Sequence, residues 1–346
     1  MAKKCVVVGL SGGVDSSLSA KLLKDEGHEV IGLFMKNWEE ENEAGFCPVE
    51  EDQKDVIRVA STLEIPYYTV NYAKEYKEKV FDTFLEGLKK GLTPNPDLLC
   101  NREIKFNALL KTAQNLGADF LATGHYCRRD LDGRLLKGID PYKDQSYFLA
   151  QVPSSALQKA LFPIGSLHKP AVREMAKMGG LATHAKKDST GICFIGNKNF
   201  KKFIQNYIPS TQGHFYDLES KQKIASHEGA CFYTIGERAR ISGHDAPYFV
   251  AKKEENAVFV VKGGNHPLLY TSNVQVSNPF WIHDTPDWTR TYTAKIRYRQ
   301  QDQECKLIKG ENGLLVEFKE PQRAVTPGQF AVFYDGDVCL GSAIID

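Results

Sequence analysis

Three short segments hold residue types that can do chemistry. The first is Gly9-Leu10-Ser11-Gly12-Gly13-Val14-Asp15-Ser16, directly after an apolar run. Glycines let the backbone approach a phosphate closely, and serine hydroxyls with the first N–H groups of a following helix can hold the anion. Asp15 cannot neutralise phosphate, so it either helps hold Mg²⁺ or caps the helix. The segment lacks the Gly-Lys-Ser/Thr ending of a P-loop and is no dinucleotide GxGxxG. The bland alternative is a Gly-rich turn with an ordinary cap, and the crowding of glycine and serine before Asp15-Ser16-Ser17 argues against it.

The second segment is Thr93-Pro94-Asn95-Pro96-Asp97-Leu98-Leu99-Cys100-Asn101-Arg102-Glu103-Ile104-Lys105-Phe106. Two prolines force an extended loop, and Asp97 is placed to cap a helix whose first turn holds Cys100. A helix N-terminus favours thiolate, with Arg102 and Lys105 as helpers, whereas a small buried thiol is the ordinary fate of a lone cysteine. The third segment is Lys186-Lys187-Asp188-Ser189-Thr190-Gly191-Ile192-Cys193-Phe194-Ile195-Gly196. An electropositive, glycine-flanked loop suits a cysteine that receives and delivers sulfur, and a buried strand cysteine is the alternative.

These segments need a scaffold. Apolar runs at Cys5–Leu10, Val30–Met35, Tyr67–Val70 and Phe120–Thr123 alternate with helical spacing at Ser16–Glu26, 56–63 and 76–88. Such alternation predicts a parallel sheet covered on both faces, with ligands bound beyond its strand ends. After about residue 208, dense glycines separate short β-rich runs such as Cys231–Ile235, Tyr248–Ala251, Ala257–Val261, Leu314–Phe318 and Phe330–Tyr334. These predict small barrels or sandwiches, divided near Gly263–Pro267. Lys295-Ile296-Arg297-Tyr298-Arg299-Gln300 alternates with period two, so a strand would put Lys295, Arg297 and Arg299 on one face.

Ser11-Gly12-Gly13-Val14-Asp15-Ser16 is similar to the signature of the ATP pyrophosphatase (PP-loop) enzymes. With NPDLLCNREIKF, TGHY, DPYKDQSYFL, FPIG, KKDSTGICFIG, YTIGERAR, KIRYRQ and AVTPGQF, the chain resembles the bacterial tRNA-specific 2-thiouridylases from residue 6 to about 341. Departures from the family pattern are Glu237, Ala239-Arg240-Ile241, Gly341-Ser342-Ala343 and Cys127. The resemblance implies an α/β fold: a PP-loop, adenine nucleotide alpha hydrolase-like catalytic domain over residues 1–207, a central β domain over 208–266 and a C-terminal barrel over 267–346. It implies ATP-dependent 2-thiolation of a wobble uridine, with O2 adenylated and pyrophosphate released.

The resemblance assigns Gly9, Leu10, Ser11, Gly12, Gly13, Val14, Asp15, Ser16, Met35 and Gly124 to ATP, although Met35 alone reads as a core residue. Cys193 carries a persulfide, Cys100 is the nucleophile, and a transient Cys100–Cys193 disulfide closes the cycle. Asp97 serves proton transfer or structure. Asn95, Pro96 and Asp97 line a pocket for the extruded base. His125, Lys143, Asp144, Gln145, Arg297, Tyr298 and Gln329 touch tRNA. Cofactors are ATP with Mg²⁺, near Asp15, and no tightly bound metal or iron–sulfur cluster. Partners are tRNA (the Lys, Glu and Gln acceptors), a cysteine desulfurase or sulfur-relay protein, and a reductant.

Composition sets outer bounds. The 346 residues carry 44 Lys+Arg against 43 Asp+Glu, so a wholesale cationic coat is excluded and any RNA contact must be local. The eight cysteines include no CxxC pair, which removes the common zinc and redox motifs. No apolar run reaches a membrane span and no leader is visible, so a cytoplasmic enzyme is expected. A PP-loop C–N ligase is the competing class, but the two cysteine segments would then lack a purpose.

Overall fold

Cys5-Val6-Val7-Val8-Gly9-Leu10 has no polar side chain, as suits a strand covered on both faces, and it forms β1 (Cys5–Leu10). The computed structural model describes residues 3–38, 48–188, 199–311 and 313–346. After β1 come α1 (Val14–Asp25), β2 (Glu29–Lys36), α2 (Pro48–Thr62) and β3 (Tyr67–Asn71). Two composite helices follow. One joins α3 (Ala73–Tyr76), a π-helical stretch at Lys77–Phe81, and α4 (Asp82–Lys89). The other joins α5 (Pro96–Leu99), a π-helical stretch at Cys100–Leu109, and α6 (Leu110–Asn115). Then come β4 (Phe120–Ala122), β5 (Cys127–Arg129), β6 (Leu135–Lys137), α7 (Ser146–Leu149), α8 (Ser154–Leu157), β7 (Ala160–Leu161), α9 (Lys169–Met178) and α10 (Phe200–Gln205).

The first sheet has the order β3-β2-β1-β4-β7, and every pairing is parallel. Alternate residues of β1 enter opposite cores. Val6 and Val8 pack with Leu18, Val56, Val59 and Val172, while Val7 packs with Val80, Phe84, Ile104 and Leu109. Helices therefore cover both faces, as the alternation predicts. Leu10 pairs with Phe34 and Val8 with Ala122, so the Ser11–Ser16 turn, Met35 and Gly124 all lie at one end of the sheet.

Four strands, β8 (Gly213–Asp217), β9 (Lys223–His227), β10 (Tyr248–Glu254) and β11 (Ala257–Lys262), form a second sheet of order β10-β11-β8-β9. The strand expected at Cys231–Ile235 is absent. Ala230–Phe232 is a single 3₁₀ turn, closed by Tyr233 N–H on Ala230 O at 3.2 Å. Gly229 and Gly236 bracket it at φ +147° and +86°, so the run never extends beside a neighbour.

The third sheet is a closed antiparallel barrel. Its strands are β12 (Tyr270–Trp281), β13 (Thr291–Lys295), β14 (Gln303–Gly310), β15 (Gly313–Arg323), β16 (Phe330–Asp335) and β17 (Val338–Ile345). They run β12-β15-β14-β13-β16-β17, and β12 closes on β17. Val274, Tyr292, Leu307, Val316 and Phe333 fill the interior. The β5–β6 hairpin adds to the outside of β17 through Leu136 and Val338. The Lys295–Gln300 strand is also overturned. β13 stops at Lys295, Gln300 N–H turns back to Arg297 O at 3.3 Å, and Arg299 has φ +63°. Lys295 is buried while Arg297 and Arg299 are exposed, so the three share no face.

Buried Lys295 instead joins the barrel to the parallel-sheet half. Asp144 Oδ1 accepts Gly138 and Ser146 N–H at 3.0 and 3.1 Å, and Oδ2 accepts Ser146 Oγ at 3.1 Å and Lys295 Nζ at 3.3 Å. Asp144 is 6% exposed, so its donors have no water to turn to. Asp144→Ala is expected to lower stability by about 3 kcal/mol, because it leaves the Gly138 and Ser146 donors unpaired and the buried Lys295 ammonium with Asp302 alone, at 3.5 Å. Urea denaturation of both proteins checks this, and a loss below about 1 kcal/mol would show that the knot is dispensable.

Candidate active site

α1 begins at Val14 with Gly13 as N-cap, and no side chain caps it. The capping role open to Asp15 is therefore not taken. Its carboxylate turns sideways, where Oδ1 accepts Tyr126 Oη at 2.7 Å and both oxygens accept Lys169 Nζ at 2.8 Å. Burial and Asp15 push the Tyr126 hydroxyl far above its usual range, so it remains a donor. The uncapped N–H groups at the start of α1 stay available for an anion. Ser11 and Ser16 form the rim, their hydroxyl oxygens 3.2 Å apart and Ser11 N–H on Ser16 Oγ at 3.1 Å. Gly124 lies flat against this turn: a Cβ there would come within 2.7 Å of Ser16 N and 2.8 Å of the Asp15 carbonyl carbon. Met35 is half-buried and packs against the core.

Lys169 was missed by sequence reasoning. Its side chain is 9% exposed, and besides Asp15 it holds Asp188 at 2.8 Å. Lys143 and Arg173 hold the same Asp188 at 2.6 and 2.7 Å. Burial pushes the Asp188 carboxyl up, yet Lys143 and Lys169 outweigh it and bring it down to about 2. The available signal was position. Lys169 is the first residue of α9, with Pro170 beside it. A cation there opposes the helix dipole, so it needs a tertiary partner. Asp188 is the last described residue before 189–198, so Cys193 lies outside the described residues.

The second segment folds differently from the expected capping pattern. Asn95, not Asp97, caps α5, and its Oδ1 accepts Asp97 N–H at 3.1 Å. The reason is Pro96, which suits the first helical position and leaves the residue before it extended. Cys100 consequently lies beyond the first turn, at the start of the π-helical stretch, and is 2% exposed. Asp97 is half-buried; burial pushes its carboxyl above the usual range and Lys105 pulls it partway back. Lys105 Nζ also meets His125 Nε2 at 3.5 Å. An ammonium can only donate, so the ring proton sits on Nδ1 and donates to Thr123 Oγ1 at 2.8 Å. Burial, then Lys105, keeps His125 well below the usual histidine range, so it is neutral.

The other expected tRNA contacts divide. Arg297 is exposed, and Tyr298 is half-buried with its ring 4.4 Å from that of Phe148. Lys143 is half-buried on Asp188. Asp144 does not face solvent, since its lone pairs serve the knot above. Gln145 Oε1 accepts Tyr126 N–H at 3.0 Å. Gln329, from the barrel, reaches Thr93 O at 2.7 Å and Asn95 at 3.5 Å. Pro96 is buried. Among the described residues no three His, Cys, Asp or Glu side chains gather as a metal site. Among the described residues Asp15 Oδ2 accepts only from Lys169, which leaves it a lone pair. No described helix is long and apolar enough to cross a membrane.

Three family models match in succession: the tRNA methyl transferase HUP domain over residues 4–197, the tRNA methyl transferase PRC-barrel domain over 201–262, and the aminomethyltransferase beta-barrel domain over 271–345. The tRNA-specific 2-thiouridylase MnmA of Chlamydia felis is 50% identical over 352 residues, 99% of this chain and 97% of that protein. The MnmA of Bacillus subtilis is 51% identical over 351 residues, 99% and 94%. A solved U34-tRNA thiolase, NcsA from Methanococcus maripaludis, covers 56% of this chain and 62% of its own at 18% identity, with a TM-score of 0.36 too low to argue from. Identity at half of all positions across nearly the full length makes this chain a member of the tRNA-specific 2-thiouridylase family.

Proposed function

We propose that the chain is an ATP-dependent tRNA sulfurtransferase that replaces O2 of a wobble uridine with sulfur. One observation carries this reading: residues 123–126 link the two chemical segments. Gly124 packs on the Ser11–Ser16 turn, Tyr126 binds Asp15, and His125 meets Lys105, five residues beyond Cys100. This supports a reading in which an activated phosphate and a sulfur-handling helix are neighbours.

In this reading the start of α1 and Ser11 take the ATP phosphates. Mg²⁺ arriving with ATP would share the phosphate charge, with Asp15 Oδ2 as its protein ligand. Uracil O2 attacks the α-phosphorus, the bond to the bridging oxygen breaks, and pyrophosphate leaves with the electron pair. Asp97, with its raised carboxyl pKa, suits transfer of the N3 proton. A Cys193 persulfide then supplies sulfur to C2 and AMP departs. Either its terminal sulfur attacks C2 and Cys100 resolves the product, or Cys100 first releases hydrosulfide; both leave a Cys100–Cys193 disulfide for an outside reductant. A cysteine desulfurase or relay protein would load the persulfide. Arg297, Tyr298 and Lys143 are the proposed tRNA contacts, and neutral His125 can offer only a hydrogen bond.

With ATP, tRNA and a persulfide donor, the protein is expected to release pyrophosphate and form 2-thiouridine, read by mass spectrometry. Cys193→Ala and Cys100→Ala should abolish thiolation while adenylation continues, and thiolation surviving Cys193→Ala would sink the persulfide assignment. Gly124→Ala should weaken ATP binding at least about tenfold, since a Cβ against Ser16 N must push back the anion-binding turn; unchanged affinity by calorimetry would remove that turn from the site. The pH dependence of stability tests His125. The unfolded ring binds a proton below about pH 6.5 and the folded ring does not, so stability is lost as pH falls. Relative to His125→Asn, the protein should lose up to about 1.4 kcal/mol per pH unit below that point. Urea denaturation at several pH values reads this, and parallel profiles would mean that His125 is not held neutral.

A further inference from the structure

Thr93-Pro94-Asn95-Pro96 forms a strut between the barrel and the helix that carries Asp97 and Cys100. Each proline fixes its own φ and keeps the preceding residue extended. Asn95 has φ −111° and ψ 102° accordingly. A shift of Thr93 therefore reaches Asn95 with little lost between them. Asn95 in turn holds the Asp97 N–H at the start of α5. Pro94 is backed by α4, where a Cβ on Gly87 would lie 2.2 Å from Pro94 Cγ.

The turn before β16 grips the strut. Thr93 N–H donates to Pro327 O at 2.8 Å, and Thr93 O accepts Gln329 Nε2 at 2.7 Å. Both backbone groups of Thr93 are thus held by the barrel, 234 to 236 positions away in sequence. Gln329 Oε1 also faces Asn95 Nδ2 at 3.5 Å. Gly328 has φ +89°, and a Cβ there would lie 2.9 Å from Leu92 Cβ and 3.0 Å from Thr93 N, so the two backbones touch. The turn is itself fixed to β17 by Gly328 N–H on Ile345 O and Ile345 N–H on Gln329 O, both at 2.8 Å.

We propose that Gln329 is a positioning residue: it holds Thr93 and, through Asn95, the cap of the helix bearing Asp97 and Cys100. This role is exerted before RNA arrives and differs from a contact with tRNA. It rests on the thiolation reading only for its kinetic readout.

The test uses full-length Gln329→Met, which keeps the length and removes both polar groups, with Asn95→Ala and the double variant. Amide exchange at Asp97 in the RNA-free protein should rise about fivefold to tenfold for Gln329→Met, in keeping with loss of a hydrogen-bonded support. Single-turnover thiolation at saturating ATP and tRNA should fall about tenfold, while tRNA affinity changes less than about twofold. The double variant should be no slower than Asn95→Ala alone, because the two act through one contact. Gln329→Glu, which keeps the acceptor but sets a carboxylate against Thr93 O, should repeat the pattern if the Met variant does not fold. Weaker tRNA binding with unchanged Asp97 exchange, and a full rate restored at saturating tRNA, would overturn the proposal in favour of an RNA contact. Additive losses in the double variant would overturn it too. A wild-type protein that makes no 2-thiouridine would defeat the function reading, while the exchange readout would still judge the clamp.

Discussion

A single ammonium holds the centre of the catalytic half together. Lys169 is nearly buried between Asp15 and Asp188, which come from opposite ends of the first 188 residues. Without it the two carboxylates could not stand so close to each other, because like charges in a dry cleft repel strongly. With Lys143 and Arg173 also on Asp188, three cations face two carboxylates, and the balance at the mouth of α1 favours an anion. Removing Lys169 would take from Asp15 the cation that both its oxygens hold, while Asp188 would keep Lys143 and Arg173. The turn, α9 and the approach to the Cys193 segment are therefore one electrostatic unit.

The second constraint is mechanical. The barrel is built from the last strands, yet it is fixed to the first half at several places. Lys295 enters the Asp144 knot, Gln329 and Gly328 meet Thr93, and β6 pairs with β17. Tyr147 Oη donates to Phe330 O at 2.9 Å. A barrel fixed in this way cannot slide over the Cys100 helix without breaking hydrogen bonds on buried groups.

The parallel sheet was legible because its signal is local: short apolar runs alternate with helical spacing, and four strands fall within a residue or two of the expected bounds. The glycine-rich turn between β1 and α1 was legible for the same reason. What escaped reading depends on contacts between distant residues. Lys169 looks like any lysine until Asp15 and Asp188 surround it. The π-helical stretch at Cys100–Leu109 has no composition mark, though it brings Cys100 and Lys105, five apart, toward one face. The Asn95 cap was misjudged for a local reason, since Asp97 and Asn95 are both good capping residues and only Pro96 decides between them.

Lys295–Gln300 shows how a periodic pattern misleads. Period two is necessary for a one-faced strand but not sufficient, because the backbone must also have a neighbour to pair with. β13 pairs with β16 only as far as Lys295, and past that point the chain turns. Asp140–Tyr147 teaches a related point about motifs. Asp140 holds the N–H groups of Tyr142 and Lys169, Asp144 holds Gly138, Ser146 and Lys295, and Gln145 holds Tyr126. Most polar side chains in that segment brace the fold, leaving Tyr142, 83% exposed, and the half-buried Lys143 facing outward. A segment that matches a family as one string of polar residues is thus, physically, mostly frame.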